Sequence, residues 1–402
     1  MRILVLDTIH GGAVIAHALR DRGHSVDMVD VYRGKAGISP DEAEHRTYDL
    51  AIAPVHLDPA YPLLHGIGSP VLSHHQAVKW ILGHEVPRPF IEITGARGKT
   101  TTAHALAHVM EGPGILHTST GTIEYPAGVR YSNPGITPAS LIGAVTLAKK
   151  IGGWVIAEIS LGFSGLGQLG ILTSTETYPF AAKQKDALKE KMRSGRSLPA
   201  IILPPGMHRE GSGIPANEIV HTDGLTCRFG WGDLEGEFCT PLLVNEAYRT
   251  PLILAAAAAC VLGIDPTTLA TFSPLEGRLA VSRIGNTVVV DDSNSGTCAA
   301  TARQAIQLAR QESGCRGPLT LVIGKEDGAI CEGFPAGDIL AVVREENPER
   351  VILVGKDYES GIPDIIRQTI RVSCCNSLAE GKASALEDTA CGMVVLAVKT
   401  WR

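Results

Sequence analysis

No stretch of this 402-residue sequence comes near the roughly 20 consecutive apolar residues that a bilayer-spanning helix needs. Nor does the beginning, MRILVLDTIHGG, pair a charged segment with an apolar one as a secretory signal does; it is a short strand pattern running into glycines. The expected location is the cytoplasm. The nine cysteines are odd in number and form no pair of CxxC knuckles, so neither a disulfide framework nor a zinc ribbon is predicted. An excess of positive charge is also missing: the formal net charge of -6 argues against a protein that coats nucleic acid or a membrane surface. No fixed-period repeat and no low-complexity tract interrupts the chain.

The sequence does hold enough apolar residues, 44%, for two or three packed cores. Its pattern is α/β. ILVLD, SVDMVDVY and DLAIAPV read as strands and AVIAHALRDRG as a helix, the rhythm of a small parallel sheet. The proline-flanked HEVPRPF reads as a linker. FIEIT, WVIAEIS and ILTST are further buried strands. KQKDALKEKM reads as a charged helix, and LILAAAAACVLGI as an alanine-rich one that must pack closely. From LEGRLAV onward, TVVVDD, LTLVIG and RVILVG again read as strands. Three domains are predicted: a Rossmann-like unit over 1–86, a central nucleotide-binding unit over 87–274 and an α/β unit over 275–402.

TGARGKTT follows an apolar strand and opens a helix, the context a phosphate loop requires. Gly95 and Gly98 let the backbone of Ala96 and Arg97 curl so that N–H groups converge on phosphate oxygens, and the helix N-terminus adds positive potential. Lys99 can span the β- and γ-phosphates, and Thr100, followed by Thr101, can ligate Mg²⁺. The loop is the short GxxGKTT form; Ile93 stands where the longer form has its first glycine.

With this loop the chain resembles the Mur ligases, ATP-dependent enzymes that join a carboxylate to a nucleophile through an acyl phosphate. The resemblance continues in order along nearly the whole chain. AEISLGF is similar to the family's strand ending in Glu-x-Ser, which implies that Glu158 binds Mg²⁺. The family's Asp-His pair is missing after ILTST, a departure at the second metal site. ETYPFAAKQKDALKEKM nevertheless resembles the D-glutamate-adding branch, and that alignment puts Lys189 in the carbamylated position. NEAYRTPLILAAAAACVLGI resembles the helix that begins with an asparagine near the adenine, here Asn245. LEGRLAV is similar to the arginine motif that opens the C-terminal domain, which implies that Arg278 contacts the γ-phosphate. VVVDDSNSGT points to Asp292 at the nucleotide, with Asn294 where the D-glutamate-adding branch has lysine. LVIGKEDG resembles that branch's lysine loop, with Lys325.

In this family the N-terminal domain selects the substrate, here with His10, Gly11 and Gly12 in its first strand-to-helix turn. That opening, the short middle domain and DDSNSGT look most like a methanogen branch. It activates a propionate of a nickel-containing tetrapyrrole acid and closes the last carbocycle of coenzyme F(430). The resemblance therefore implies ATP and Mg²⁺ as cofactors, a small-molecule substrate, and a monomer or homodimer. An amide ligase of peptidoglycan or folylpolyglutamate type is the alternative, and a P-loop ATPase or binding protein without ligation is a third reading.

Overall fold

The computed structural model describes all residues except 34–35, 133–134, 315–316, 327–333, 359–369, 390 and 401–402. The chain divides into two compact units, Met1–Phe272 and Ser273–Arg402.

The first unit opens with β1 (Arg2–Val5), α1 (Gly12–Arg20), β2 (Ser25–Met28), α2 (Pro40–Glu44), β3 (Leu50–Ala53), α3 (Pro62–Gly66), β4 (Val71–Ser73) and α4 (His74–Leu82). The strands form a parallel sheet in the order β2-β1-β3-β4. Alternation along β1 explains its two covered faces. Ile3 and Val5 pack with Ile15, Leu19 and Val78, whereas Leu4 and Leu6 pack with Leu57 and Leu63. The start of α4 is fixed by a capping box: Ser73 Oγ accepts from Gln76 N at 3.2 Å, and Gln76 Oε1 accepts from Ser73 N at 2.8 Å.

The unit continues through β5 (Phe90–Thr94), α5 (Lys99–Val109), β6 (Gly114–Thr118), β7 (Gly121–Tyr125), β8 (Val129–Tyr131), α6 (Ser140–Ile151), β9 (Trp154–Glu158) and β10 (Leu169–Leu172). A short hairpin follows, β11 (Pro179–Phe180) and β12 (Lys185–Asp186), then α7 (Ala187–Gly195), β13 (Ile201–Leu203) and β14 (Gly213–Pro215). The eight-stranded sheet runs β14-β13-β10-β5-β9-β6-β7-β8, so β5, the strand that feeds the phosphate loop, lies between β9 and β10. One apolar core joins the two sheets, because Ile3 and Val5 belong to the same cluster as Phe90, Leu141 and Ile159. An antiparallel meander, β15 (Val220–Asp223), β16 (Thr226–Trp231) and β17 (Leu234–Cys239), precedes the alanine-rich α8 (Glu246–Val261). Ala255 to Ala259 are all buried, and α8 packs along α5.

One expected element differs. KQKDALKEKM is not helical throughout: Lys185 and Asp186 close the hairpin against Phe180 and Pro179. The helix starts only at Ala187, where Asp186 Oδ1 accepts from Lys189 N at 2.9 Å.

The second unit is a six-stranded sheet: β18 (Ala280–Ile284), β19 (Asn286–Asp291), β20 (Leu319–Lys325), β21 (Arg350–Val354), β22 (Arg371–Cys375) and β23 (Cys391–Lys399). Its order is β18-β19-β23-β20-β21-β22, with only β18 antiparallel to its neighbour. Helices Ala299–Ser313, Ala336–Glu346 and Leu378–Asp388 belong to the same unit. Among the described residues no helix is long and apolar enough to cross a membrane.

Candidate active site

The turn Gly95–Gly98 leaves β5 and enters α5 at Lys99. Both glycines have positive φ, 156° and 81°. A Cβ on Gly95 would lie 2.0 Å from Thr173 Oγ1, so only glycine fits there. Thr173 and Ser174 follow β10 and hold the loop from the side. Thr173 Oγ1 donates to Arg97 O at 2.5 Å, while Ser174 Oγ accepts from Ala96 N at 2.9 Å and from Arg97 N at 3.4 Å. The Arg97 side chain is exposed and pairs with Glu176. Spacing along the chain does not reveal these contacts, because they depend on which strand lies beside β5.

On the other flank, β9 delivers Glu158. Its Oε2 accepts from Thr100 Oγ1 at 2.8 Å and from Ser119 N at 3.1 Å, and its Oε1 lies 3.6 Å from Lys99 Nζ. Thr100 and Ser119 hydroxyls are 3.1 Å apart, and Thr101 is buried in the first turn of α5. Thus the structure brings Lys99, Thr100 and Glu158 together at the carboxyl ends of two adjacent parallel strands, where open α/β sheets bind ligands. A carboxylate and a hydroxyl that touch each other, beside a phosphate loop, fit Mg²⁺, which takes few protein oxygens and completes its shell with phosphates and water. Among the described residues no three His, Cys, Asp or Glu side chains group to hold a metal by themselves.

Two lysines of α7 differ in burial. Lys189 is exposed, and its backbone N–H serves the Asp186 cap. Lys191 is 1% exposed, with Nζ 5.1 Å from the centre of the Tyr178 ring and, among the described residues, no hydrogen-bond partner. Burial, with help from the charge of Lys99, pulls its ammonium down to about 8. Lys189, the residue that the resemblance puts at the carbamylated position, is thus exposed, and the buried lysine of this helix is Lys191.

Asn245 caps α8, its Oδ1 accepting from Ala247 N at 3.0 Å. One turn into the same helix, Pro251 lies against the phosphate loop at Gly98.

In the N-terminal sheet, Asp7 is fully buried after β1. Its Oδ1 accepts from Ile9 N and His10 N at 2.8 and 3.0 Å, and its Oδ2 from Gly12 N at 2.9 Å. Burial pushes this carboxyl up, but the His10 side chain and the three N–H groups hold it below the usual carboxylate range. A Cβ on Gly12 would sit 2.3 Å from Asp7 O, and one on Gly11 2.6 Å from Ala139 Cβ, which accounts for both glycines of the turn.

In the second unit Arg278 is half-buried and acts electrostatically on Asp292. Burial pushes the Asp292 carboxyl up to about 7, against the pull of the Thr301 hydroxyl and Arg278. Asn294 Nδ2 donates to Gly277 O at 2.7 Å and to Asp292 Oδ1 at 3.3 Å, so it ties the arginine motif to the aspartate. Lys325 ends β20; Asp327 and Gly328 of its motif lie outside the described residues.

Residues 281–400 match the family description "Coenzyme F430 synthetase CfbE, C-terminal domain". Over its full length the chain is 31% identical to the coenzyme F(430) synthetase of Methanosarcina acetivorans, covering 99% of that protein. Among solved structures it is similar to the ligand-free bifunctional folylpolyglutamate synthase/dihydrofolate synthase of Yersinia pestis. The TM-score is 0.56 at 13% identity, over 82% of this chain and 92% of that one. It is also similar to MurF ligase of Thermotoga maritima in complex with ADP, with a TM-score of 0.51 at 14% identity over 90% and 87% of the two chains. The fold is thus that of the Mur ligases, and the chain belongs to the coenzyme F(430) synthetase family of ATP-dependent ligases.

Proposed function

We propose that the chain uses ATP and Mg²⁺ to activate a propionate of a nickel tetrapyrrole acid as an acyl phosphate. It then closes this group onto carbon, giving the last carbocycle of coenzyme F(430) with release of ADP and phosphate. The observation that carries the reading is the convergence of Lys99, Thr100 and Glu158 beside the loop Gly95–Gly98, in a chain with a full-length relative of that name.

Residues 1–86 serve as the substrate-selecting domain in this reading, 87–274 as the nucleotide domain and 275–402 as the ligase domain. Lys99 neutralises charge on the transferring phosphoryl group and Thr100 and Glu158 hold the metal. Mg²⁺ when bound supplies further neutralisation of the phosphate oxygens. Arg278 and Asp292 are assigned to the nucleotide. Lys191 takes the role that the family resemblance gives to a carbamylated lysine: it is buried, it feels the charge of Lys99, and its depressed ammonium leaves a reactive neutral fraction near pH 8.

The test is phosphate release with ATP and Mg²⁺, with and without the nickel seco-tetrapyrrole acid, while the pigment's absorption is followed. Acid-dependent release with a matching spectral shift supports ring closure. Release that instead requires a UDP-sugar acid and an amino acid overturns it in favour of an amide ligase.

A further inference from the structure

Each strand of the N-terminal sheet delivers an aromatic ring or imidazole at its carboxyl end: His10 after β1, Tyr32 after β2, His56 after β3, and His74 and His75 after β4. Because the order is β2-β1-β3-β4, His10 and His56 flank the point where the chain's winding reverses, the crevice that ligands use in open parallel sheets. The rings interlock. His10 meets Tyr32 and His56 edge-on, with centroids 4.7 Å away in both cases, and Tyr32 stacks on His56 at 5.7 Å. His74 and His75 are both buried beside it.

Within this cluster His10 is the ring that stands against a carboxylate. Its side chain is 39% exposed, as Tyr32 is at 40%, while Asp7 behind it is fully buried and held as a carboxylate, with Oδ1 3.5 Å from His10 Nδ1. At this distance Nδ1, itself buried, makes no hydrogen bond among the described residues, but the charge of so close a carboxylate favours the tautomer with the proton on Nδ1. Nε2 is then left as a proton acceptor on an accessible imidazole.

The same turn faces the nucleotide domain. Gly11 lies against Thr137 and Ala139. The neighbouring Ile136 carbonyl accepts from Ser160 N at 2.9 Å, and His75 Nε2 lies 3.0 Å from Ser160 O. Ser160 is two residues beyond Glu158. The turn that carries His10 is therefore joined, through Gly11 and the segment 136–139, to the chain just beyond Glu158.

We propose that His10 is the general base of the carbon–carbon bond-forming step, with Asp7 as its positioning residue; this rests on the ring-closure reading above. The carbon that attacks the acyl phosphate carries a hydrogen. As its electron pair forms the new bond to the carbonyl carbon, the carbon–oxygen bond to phosphate breaks and phosphate leaves. The hydrogen departs as a proton to His10 Nε2 and passes from there to water. Activation of the carboxylate consumes no such proton, so the two half-reactions separate in a variant that lacks the imidazole.

The experiment compares wild type, His10→Gln and His10→Ala with ATP, Mg²⁺ and the nickel seco-tetrapyrrole acid, each with and without hydroxylamine as a trap for the acyl phosphate. With the acid at saturation, the expected result is that hydroxamate still forms in both variants while cyclised pigment falls relative to it. Cyclised pigment should fall at least about a hundredfold, with partial recovery in His10→Ala on adding imidazole. Cyclisation in His10→Gln near the wild-type rate overturns the assignment. So does equal loss of hydroxamate and pigment, because the imidazole would then serve binding or activation. If wild type forms neither product from the acid, the ring-closure reading itself fails and takes the assignment with it.

Discussion

Thr100 Oγ1 donates to Glu158 Oε2 at 2.8 Å, across the gap between the first turn of the loop helix and the end of the adjacent strand. The same carboxylate reaches Lys99 Nζ with its other oxygen. One acid thus binds two consecutive residues of the phosphate loop. Glu158→Gln keeps the shape and removes the charge. It should raise the Mg²⁺ concentration needed for half-maximal phosphate release about tenfold or more, while the melting temperature moves little. An unchanged Mg²⁺ dependence would take Glu158 out of the metal site.

Lys99→Ala should abolish turnover, by about a thousandfold or more if it stabilises the transferring phosphoryl group, and leave the far-UV circular dichroism and thermal unfolding close to wild type. Near-normal turnover in this variant would remove the phosphate-loop assignment.

Lys191 and Lys189 give a paired prediction. With ¹³C-labelled carbon dioxide, a carbamate carbon resonance should appear in wild type and Lys189→Ala and vanish in Lys191→Ala, with activity following the resonance. The reverse pattern would return the role to Lys189. A stability test in carbon-dioxide-free buffer follows from the ammonium being pulled down to about 8 from its ordinary 10.5. Between those values the unfolded chain binds more protons than the folded one, so Lys191 costs stability fully below about pH 8 and progressively less as pH rises. Lys191→Met should therefore unfold at higher urea than wild type at pH 7, and the gap should narrow toward pH 10.5.

The phosphate loop and the strand ending at Glu158 were legible because strand, glycines, lysine and helix are local and contiguous. The identity of the buried lysine was not. Lys189 and Lys191 are two residues apart and so lie roughly 200° apart around the helix, and which of them is buried depends on what packs against α7. Thr173, Ser174 and the His10–Tyr32–His56 cluster were illegible for another reason. Each depends on strand order in a sheet, and neighbours such as β5, which ends at Thr94, and β10, which begins at Leu169, are far apart in sequence.

Glu92, next to the loop on β5, is fully buried and accepts from Ser164 N, Ser164 Oγ, Gly165 N, Leu166 N and Gly167 N. Burial pushes its carboxyl above the usual range, and these donors work against that push. Glu92→Gln turns an acceptor into a group that also donates toward backbone N–H groups. The expected cost is about 3 kcal/mol, read as a lower urea midpoint. An unchanged midpoint would show that the turn 164–167 holds itself.

The alanine run in α8 has a consequence for how the nucleotide site is supported. Ala255 to Ala259 carry no side-chain torsions, so burying them costs no rotamer entropy and leaves nothing that can swing aside. The helix that packs along α5 is thus sheathed, over this run, by a layer one methyl group thick. In a saturation library that layer should tolerate glycine and serine and reject almost everything larger, marking the site by intolerance at positions that never meet a substrate.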